Sequence, residues 1–274
     1  MRWIEFVFKL KKEDNLKDIL IAQLSSLGFD SFDETDNNLK AYIDQVKVTD
    51  SFLEKVKILS PVNFDFSCLE NKNWNILWES NFNPIMIGKS CFIRAPFHKK
   101  KKVKYDILIN PKMAFGTGHH ETTKMMILEL LNLKERPKKA LDVGCGTGIL
   151  SIILEKMYKS DIKAIDIDDW AIENSLENIK MNKCSNIEIE KGNIDSQVKT
   201  SKFDLILANI NTSVLVQDLK SYFNLLELNG LLIMSGFLFI DFSKIQKEAS
   251  FLNLFLISKK EEKKWQCVVF KKIN

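Results

Sequence analysis

The sequence predicts an α/β protein in two parts, a small ferredoxin-like α+β domain followed by a seven-stranded Rossmann-like core. Three observations carry this. The first 68 residues read as β-α-β-β-α-β, the ferredoxin-like order. After Pro137, strand and helix patterns alternate, which implies a parallel sheet wrapped by helices. Between the first strand and first helix of that alternation stands the glycine-rich phrase Asp142-Val143-Gly144-Cys145-Gly146-Thr147-Gly148. Ligands of such sheets bind beyond the carboxyl ends of the strands, where this phrase lies.

The first strand is Arg2 to Leu10, with Ile4, Phe6 and Phe8 alternating against Glu5 and Lys9. Leu16, Ile19, Leu20, Leu24 and Leu27 then recur at helical spacing, and Gly28 closes that helix. Phe29 to Phe32 and Leu39 to Ile43 form a hairpin around the turn formers Asp36-Asn37-Asn38. Ser51 with Glu54 reads as a capping box opening a second helix, which carries Phe52, Val56 and Leu59 on one face and stops at Pro61. Val62 to Phe66 is the last strand, and the domain ends near Leu69. Residues 1–68 are thus the first domain, 69–112 a linker with preceding strands, and 113–274 the core. In the middle segment, Trp74, Leu77 and Trp78 suggest a short helix. Ser90 to Arg94 and Val103 to Ile109 suggest strands joined by a basic hairpin turn, Lys99-Lys100-Lys101-Lys102. That run is either a solvated turn or a weak docking patch for ribosomal RNA or an acidic protein face.

Composition narrows the function. With 45% hydrophobic and 28% charged residues the chain reads as an ordinary globular protein. No run of roughly 18 apolar residues suggests a membrane span, and Met1-Arg2-Trp3-Ile4-Glu5 reads as strand rather than signal peptide, so a cytoplasmic protein is expected. Five scattered cysteines without a C-x-x-C pair point to reduced thiols and to no metal site. A net charge of +4 is too small for whole-surface nucleic-acid binding.

The glycines of the central phrase allow a tight turn and close approach of a ligand to the backbone. Their pattern is G-x-G-x-G rather than G-x-G-x-x-G, and Asp142 precedes the first by two. That suits S-adenosylmethionine, which has no phosphate to seat on the helix and carries cationic groups that a carboxylate favours. Gly144, Gly146, Gly148 and Asp142 are therefore candidate cofactor residues. Asp166 ends the second strand 22 positions after Gly144, where an acid accepts hydrogen bonds from ribose hydroxyls. Asp168 is either a further ligand or a helix N-cap, and Asp195 a candidate on the adenine side or an ordinary loop acid. Asn209 follows the fourth strand directly and so lies at the mouth of the site. The loop Ala114-Phe115-Gly116-Thr117-Gly118-His119-His120-Glu121-Thr122-Thr123 opens a helix and is placed to cap the methionine end of the cofactor.

Phe115-Gly116-Thr117-Gly118, Thr122-Thr123, the Asp142 to Leu150 phrase, Ile165-Asp166-Ile167-Asp168, Ala208-Asn209-Ile210 and Ser235-Gly236 together closely resemble the ribosomal protein L11 methyltransferase (PrmA) family. Order and spacing match over roughly residues 110 to 240. The resemblance implies a class I methyltransferase core, with Thr123, Gly144, Asp166 and Asn209 contacting S-adenosylmethionine. It also implies that the first domain grips a protein of the ribosomal stalk base, methylated on lysine side chains and its N-terminal α-amine. Two departures stand out: His119-His120-Glu121 replaces the common Thr-His-Pro, and Asn211-Thr212 replaces a small apolar pair.

The implied chemistry is in-line attack of an amine on the cofactor methyl group. A lysine amine with a pKa of about 10.4 must first lose a proton, at a cost on the order of 4 kcal/mol at neutral pH. Asn209 and His120 are the candidate catalytic residues, His119 and His120 being either proton relays or caps. A methyltransferase of another substrate and a non-catalytic cofactor-binding module remain as rival readings.

Overall fold

In the computed structural model the alternating opening segment forms β1 (Trp3–Lys9), with Ile4, Phe6 and Phe8 buried. The structure describes residues 3–10, 20–21, 23–24, 27–29, 31–34, 38–60, 62–68, 83–110, 115–194 and 202–273. Strand β1 pairs antiparallel with β3 (Asn38–Asp44) and with β4 (Phe64–Cys68), while β2 (Ser31–Glu34) pairs with β3. The resulting order, β2-β3-β1-β4, is that of a ferredoxin-like sheet. Leu20 and Leu24 are helical and buried, as the apolar spacing predicts; most of that helix and the 35–37 turn lie outside the described residues. The second helix, α1 (Asp50–Leu59), is capped by Thr49, whose hydroxyl accepts from the Phe52 amide at 3.2 Å. The expected cap, Ser51, is already inside the helix, its hydroxyl 3.0 Å from that of Thr49. The core gathers on Phe6, whose ring meets those of Phe29, Phe52 and Phe66 at centroid distances of 5.1, 6.5 and 5.2 Å.

The chain divides into two compact units, Met1–Asn81 and Phe82–Asn274. The Trp74–Trp78 segment lies outside the described residues. The second unit begins with a three-stranded sheet of β5 (Ile85–Ile87), β6 (Cys91–Arg94) and β7 (Tyr105–Leu108). Here the structure corrects the sequence reading. Strands β6 and β7 are parallel, so the lysine run is not a hairpin turn but part of a ten-residue crossover, since parallel neighbours require a connection that returns the chain to the same end. The crossover is pinned by Arg94, whose guanidinium takes both carboxylate oxygens of Asp106 at 2.7 and 2.9 Å and donates to the His98 carbonyl at 2.9 Å.

Helix α2 (Glu121–Leu131) leads into the main sheet. Its elements are β8 (Lys139–Val143), α3 (Ile149–Tyr158), β9 (Asp161–Asp166), α4 (Asp169–Asn182), β10 (Ile187–Lys191), β11 (Phe203–Asn209), α5 (Thr212–Leu225), β12 (Leu226–Leu238), α6 (Phe242–Phe251), β13 (Leu254–Glu262) and β14 (Trp265–Lys272). The seven strands stand in the order β10-β9-β8-β11-β12-β14-β13, with only β14 antiparallel to its neighbours. Because both faces are covered, alternate residues of one strand enter different cores. Leu205 and Leu207 pack with α2 and α3, Ile206 and Ala208 with α5 and α6. The order reverses between β8 and β11, and a crevice opens there beyond the strand ends.

Candidate functional site

The floor of that crevice is the glycine turn between β8 and α3. Gly144, Gly146 and Gly148 have φ of 68°, 56° and 74°, the left-handed region that side chains resist. A Cβ on Gly144 would collide with the Ile210 side chain, and one on Gly146 with the Phe115 carbonyl oxygen. The turn is tied to β9, since the Gly144 and Cys145 amides donate to the Ile165 carbonyl at 2.9 and 3.1 Å. The Gly146 amide donates to Asp166 Oδ2 at 2.9 Å. From the other side the segment before α2 straps it down: the Phe115 carbonyl accepts from the Thr147 amide at 3.0 Å and the Gly116 carbonyl from the Thr147 hydroxyl at 2.6 Å.

The crevice is a cleft of about 410 Å³. Gly144, Gly146, Asp166, Asp168 and Asn209, all singled out from the sequence, line it together with Phe115, Ile167, Trp170, Asn193, Ile210 and Asp218. Among its described lining residues are three aspartates and no lysine, arginine or histidine. A phosphate would meet repulsion here and a cation attraction. Asp168 proves to be both lining residue and helix cap, accepting from the Trp170 amide at 3.0 Å. Asn209 donates from Nδ2 to the Thr123 hydroxyl at 3.4 Å, while its Oδ1 is buried and has no partner. Such an atom is costly unless something arrives to donate to it.

Four other candidates sit outside the lining. Thr123 is buried under Asn209. Gly148 lets α3 and α4 approach closely, its missing Cβ standing 3.0 Å from Ser175 Cβ. His120 caps α2, its Nδ1 within 2.8 Å of the Thr122 hydroxyl and 3.3 Å of the Thr122 amide. Asp142 lies behind the turn with 1% exposure, Oδ2 accepting from Ser151 at 2.6 Å and Oδ1 unpartnered. Asp195 falls outside the described residues.

Burial, with a smaller contribution from the charge of Asp166, pushes the Asp142 carboxyl up to about 6 against the hydrogen bond from Ser151. A raised carboxyl pKa favours the protonated form in the fold, so this group costs stability as pH rises from about 4 to about 6. At 1.36 kcal/mol per pKa unit the cost is about 3 kcal/mol above that window. Asp142→Asn is therefore expected to be more stable than the parent at pH 7.5 and near parity at pH 4, by urea unfolding at both values. Equal stability differences at the two pH values would remove this reading.

Sequence reading missed two features. Trp170 and Ile167 are 67% and 72% exposed on the cleft wall; an apolar pair just after an acidic strand end was the available signal. On α4, Asn174, Asn178 and Asn182 are all buried. Asn182 pairs with the Leu108 amide and carbonyl at 3.0 and 2.6 Å, and Asn178 with the Asn110 amide at 2.8 Å and the Thr147 carbonyl at 2.9 Å. Asparagines at every fourth position of a helix carried that signal.

The cleft fits S-adenosylmethionine: a floor of left-handed glycines on which a Cβ would collide with Ile210 or Phe115, an acidic wall, and a buried acceptor on Asn209. Comparison with known proteins points the same way. Residues 10–273 match the model of the family described as ribosomal protein L11 methyltransferase (PrmA). A protein of Bacteroides fragilis named ribosomal protein L11 methyltransferase is 39% identical, covering 98% of this chain and 99% of that one. A protein of the same name from Campylobacter jejuni subsp. doylei is 31% identical, with 94% of each covered. The crystal structure of a ribosomal protein L11 methylase from Lactobacillus delbrueckii subsp. bulgaricus matches with a TM-score of 0.65 at 26% identity, covering 70% of this chain and 100% of that one. With fold, cleft and nearly the whole sequence in agreement, the chain belongs to the ribosomal protein L11 methyltransferase (PrmA) family.

Proposed function

We propose that the protein transfers methyl groups from S-adenosylmethionine to amines of ribosomal protein L11, on lysine side chains and on the N-terminal α-amine. The observation that carries this most is the acidic, glycine-floored cleft with the unspent Asn209 Oδ1 at its mouth. Bound S-adenosylmethionine supplies an electrophilic methyl group on a cationic sulfur. The chain supplies position. Gly144 and Gly146 let the cofactor approach the backbone, and Asp166 offers its remaining lone pairs to the ribose hydroxyls. Asn209 Oδ1 accepts an N–H of the incoming neutral amine, turning its lone pair toward the methyl group. The acidic wall favours delivery of a cationic lysine, which loses its proton to solvent water before attack. Thr123 holds Asn209 from beneath, and His120 serves as a cap rather than a proton relay, since its Nδ1 is committed to α2.

In the same reading the first domain, residues 1–68, which lies within the compact unit Met1–Asn81, recognises the stalk-base protein, and the exposed Lys99, Lys100, Lys101 and Lys102 make a weak contact with ribosomal RNA. The setting is the cytoplasm, where that substrate is made. The test is to incubate the full chain with purified L11 and S-adenosylmethionine and to map modified positions by mass spectrometry. Methyl groups on lysine Nζ and the α-amine are expected. Methyl groups confined to carboxylates, glutamines or arginines, or none at all, would overturn the amine assignment.

A further inference from the structure

The strap over the glycine turn is held from outside by a part of the chain that contributes nothing to the cleft lining. Strands β13 and β14 form a hairpin, Glu262 pairing with Trp265, around the two-residue turn Lys263-Lys264. Both turn residues have positive φ, 48° and 70°. Tight hairpins of this kind favour Asn-Gly, so two lysines here keep an unfavourable backbone. What the turn holds is the start of α2. Lys263 Nζ lies 2.6 Å from Glu121 Oε1, and that ammonium holds the Glu121 carboxyl down to about 2. The Trp265 ring meets the His120 ring edge-on at 4.9 Å, and His120 in turn meets Phe115 at 5.3 Å. Further along, Lys260 reaches Glu129 at 3.3 Å and Ser258 donates to it at 2.8 Å.

We propose that the β13–β14 hairpin is a brace for the cofactor site: Lys263 through Glu121, and Trp265 through His120, are positioning residues that fix Phe115 and the strap carbonyls against Thr147. Neither touches the reacting atoms. The brace acts on cofactor affinity because the strap is one wall of the glycine turn. This rests on the cleft being the S-adenosylmethionine site.

Lys263→Gly separates positioning from mere structure. It removes the ion pair but relieves the left-handed backbone, so the Tm should hold or rise, whereas a structural role alone would leave cofactor binding unchanged. Because an ion pair whose lysine is exposed is a weak contact, the KM for S-adenosylmethionine should rise about fivefold, with kcat at saturating cofactor unchanged. Lys263→Glu should weaken binding further, and the charge swap Glu121→Lys with Lys263→Glu should restore it to within about twofold. An unchanged KM in Lys263→Gly, or a swap as weak as the single variant, overturns the brace. Calorimetry on the unvaried protein keeps the two questions apart: no binding there counts against the cofactor site itself, whereas normal binding with indifferent variants counts against the brace alone.

Discussion

Gly146→Ala is expected to abolish measurable S-adenosylmethionine binding in calorimetry, a loss of at least about 100-fold, or about 2.7 kcal/mol. The added Cβ would run into the Phe115 carbonyl oxygen, a backbone atom that cannot swing aside as a side chain can. That carbonyl is engaged by the Thr147 amide at 3.0 Å, and the next one by the Thr147 hydroxyl at 2.6 Å, so strap and turn would have to part together. The left-handed backbone at φ 56° adds strain of about 1 to 2 kcal/mol for any residue with a Cβ. Gly144→Arg fills the same floor from the Ile210 side. Asp166→Ala acts differently, removing a carboxylate that holds the Gly146 and Asp168 amides at 2.9 and 3.1 Å and faces the cleft. It should weaken binding by roughly 1 to 3 kcal/mol through lost charge-assisted hydrogen bonds. Unchanged affinity in Gly146→Ala, Gly144→Arg and Asp166→Ala together would remove the cofactor site from this cleft.

A fragment beginning at Phe82 is expected to fold and bind S-adenosylmethionine yet lose nearly all methyl transfer to L11. Folding follows from burial: among the described residues, the two cores that cover the main sheet are built from the second unit and the Phe6 core from the first. Cofactor binding follows because every described cleft residue lies after Phe82. Loss of transfer follows from positioning. A lysine side chain or terminal amine offers little of its own to hold, and alignment in attack geometry is worth on the order of 7 to 11 kcal/mol of barrier when fully supplied by binding. Contacts remote from the reacting amine must supply it. Cofactor affinity and transfer are measured on the same preparation. Full-length rates from the fragment would show that residues 1–81 do not recognise the substrate.

The legible parts of the sequence were those where local chemistry and fold agree. Alternation at Ile4, Phe6 and Phe8 was enough to place β1, and the glycine phrase with Asp166 and Asn209 marked the ends of β8, β9 and β11 that meet at one cleft. What failed was set by contacts distant in sequence. Lys99 to Lys102 look like a hairpin turn locally, but the parallel register of β6 and β7 depends on pairing and on the Arg94–Asp106 clamp. Asp142 carries the right residue type at the right spacing, yet pairing with Ser151 nine residues on takes it behind the turn. For His120 the sequence left relay and cap side by side, and the structure places it just before α2 as its N-cap. The hairpin brace was invisible because Glu121 and Lys263 are joined only in space.

The measurement that bears most directly on function is transfer of labelled methyl groups from S-adenosylmethionine, by the full-length protein, into total ribosomal protein extracted from cells that lack this activity. The expected result is one labelled protein, L11, with Gly146→Ala giving no label. Label in a different ribosomal protein, label only in small molecules, or equal labelling by Gly146→Ala would contradict the assignment of this cleft and this substrate.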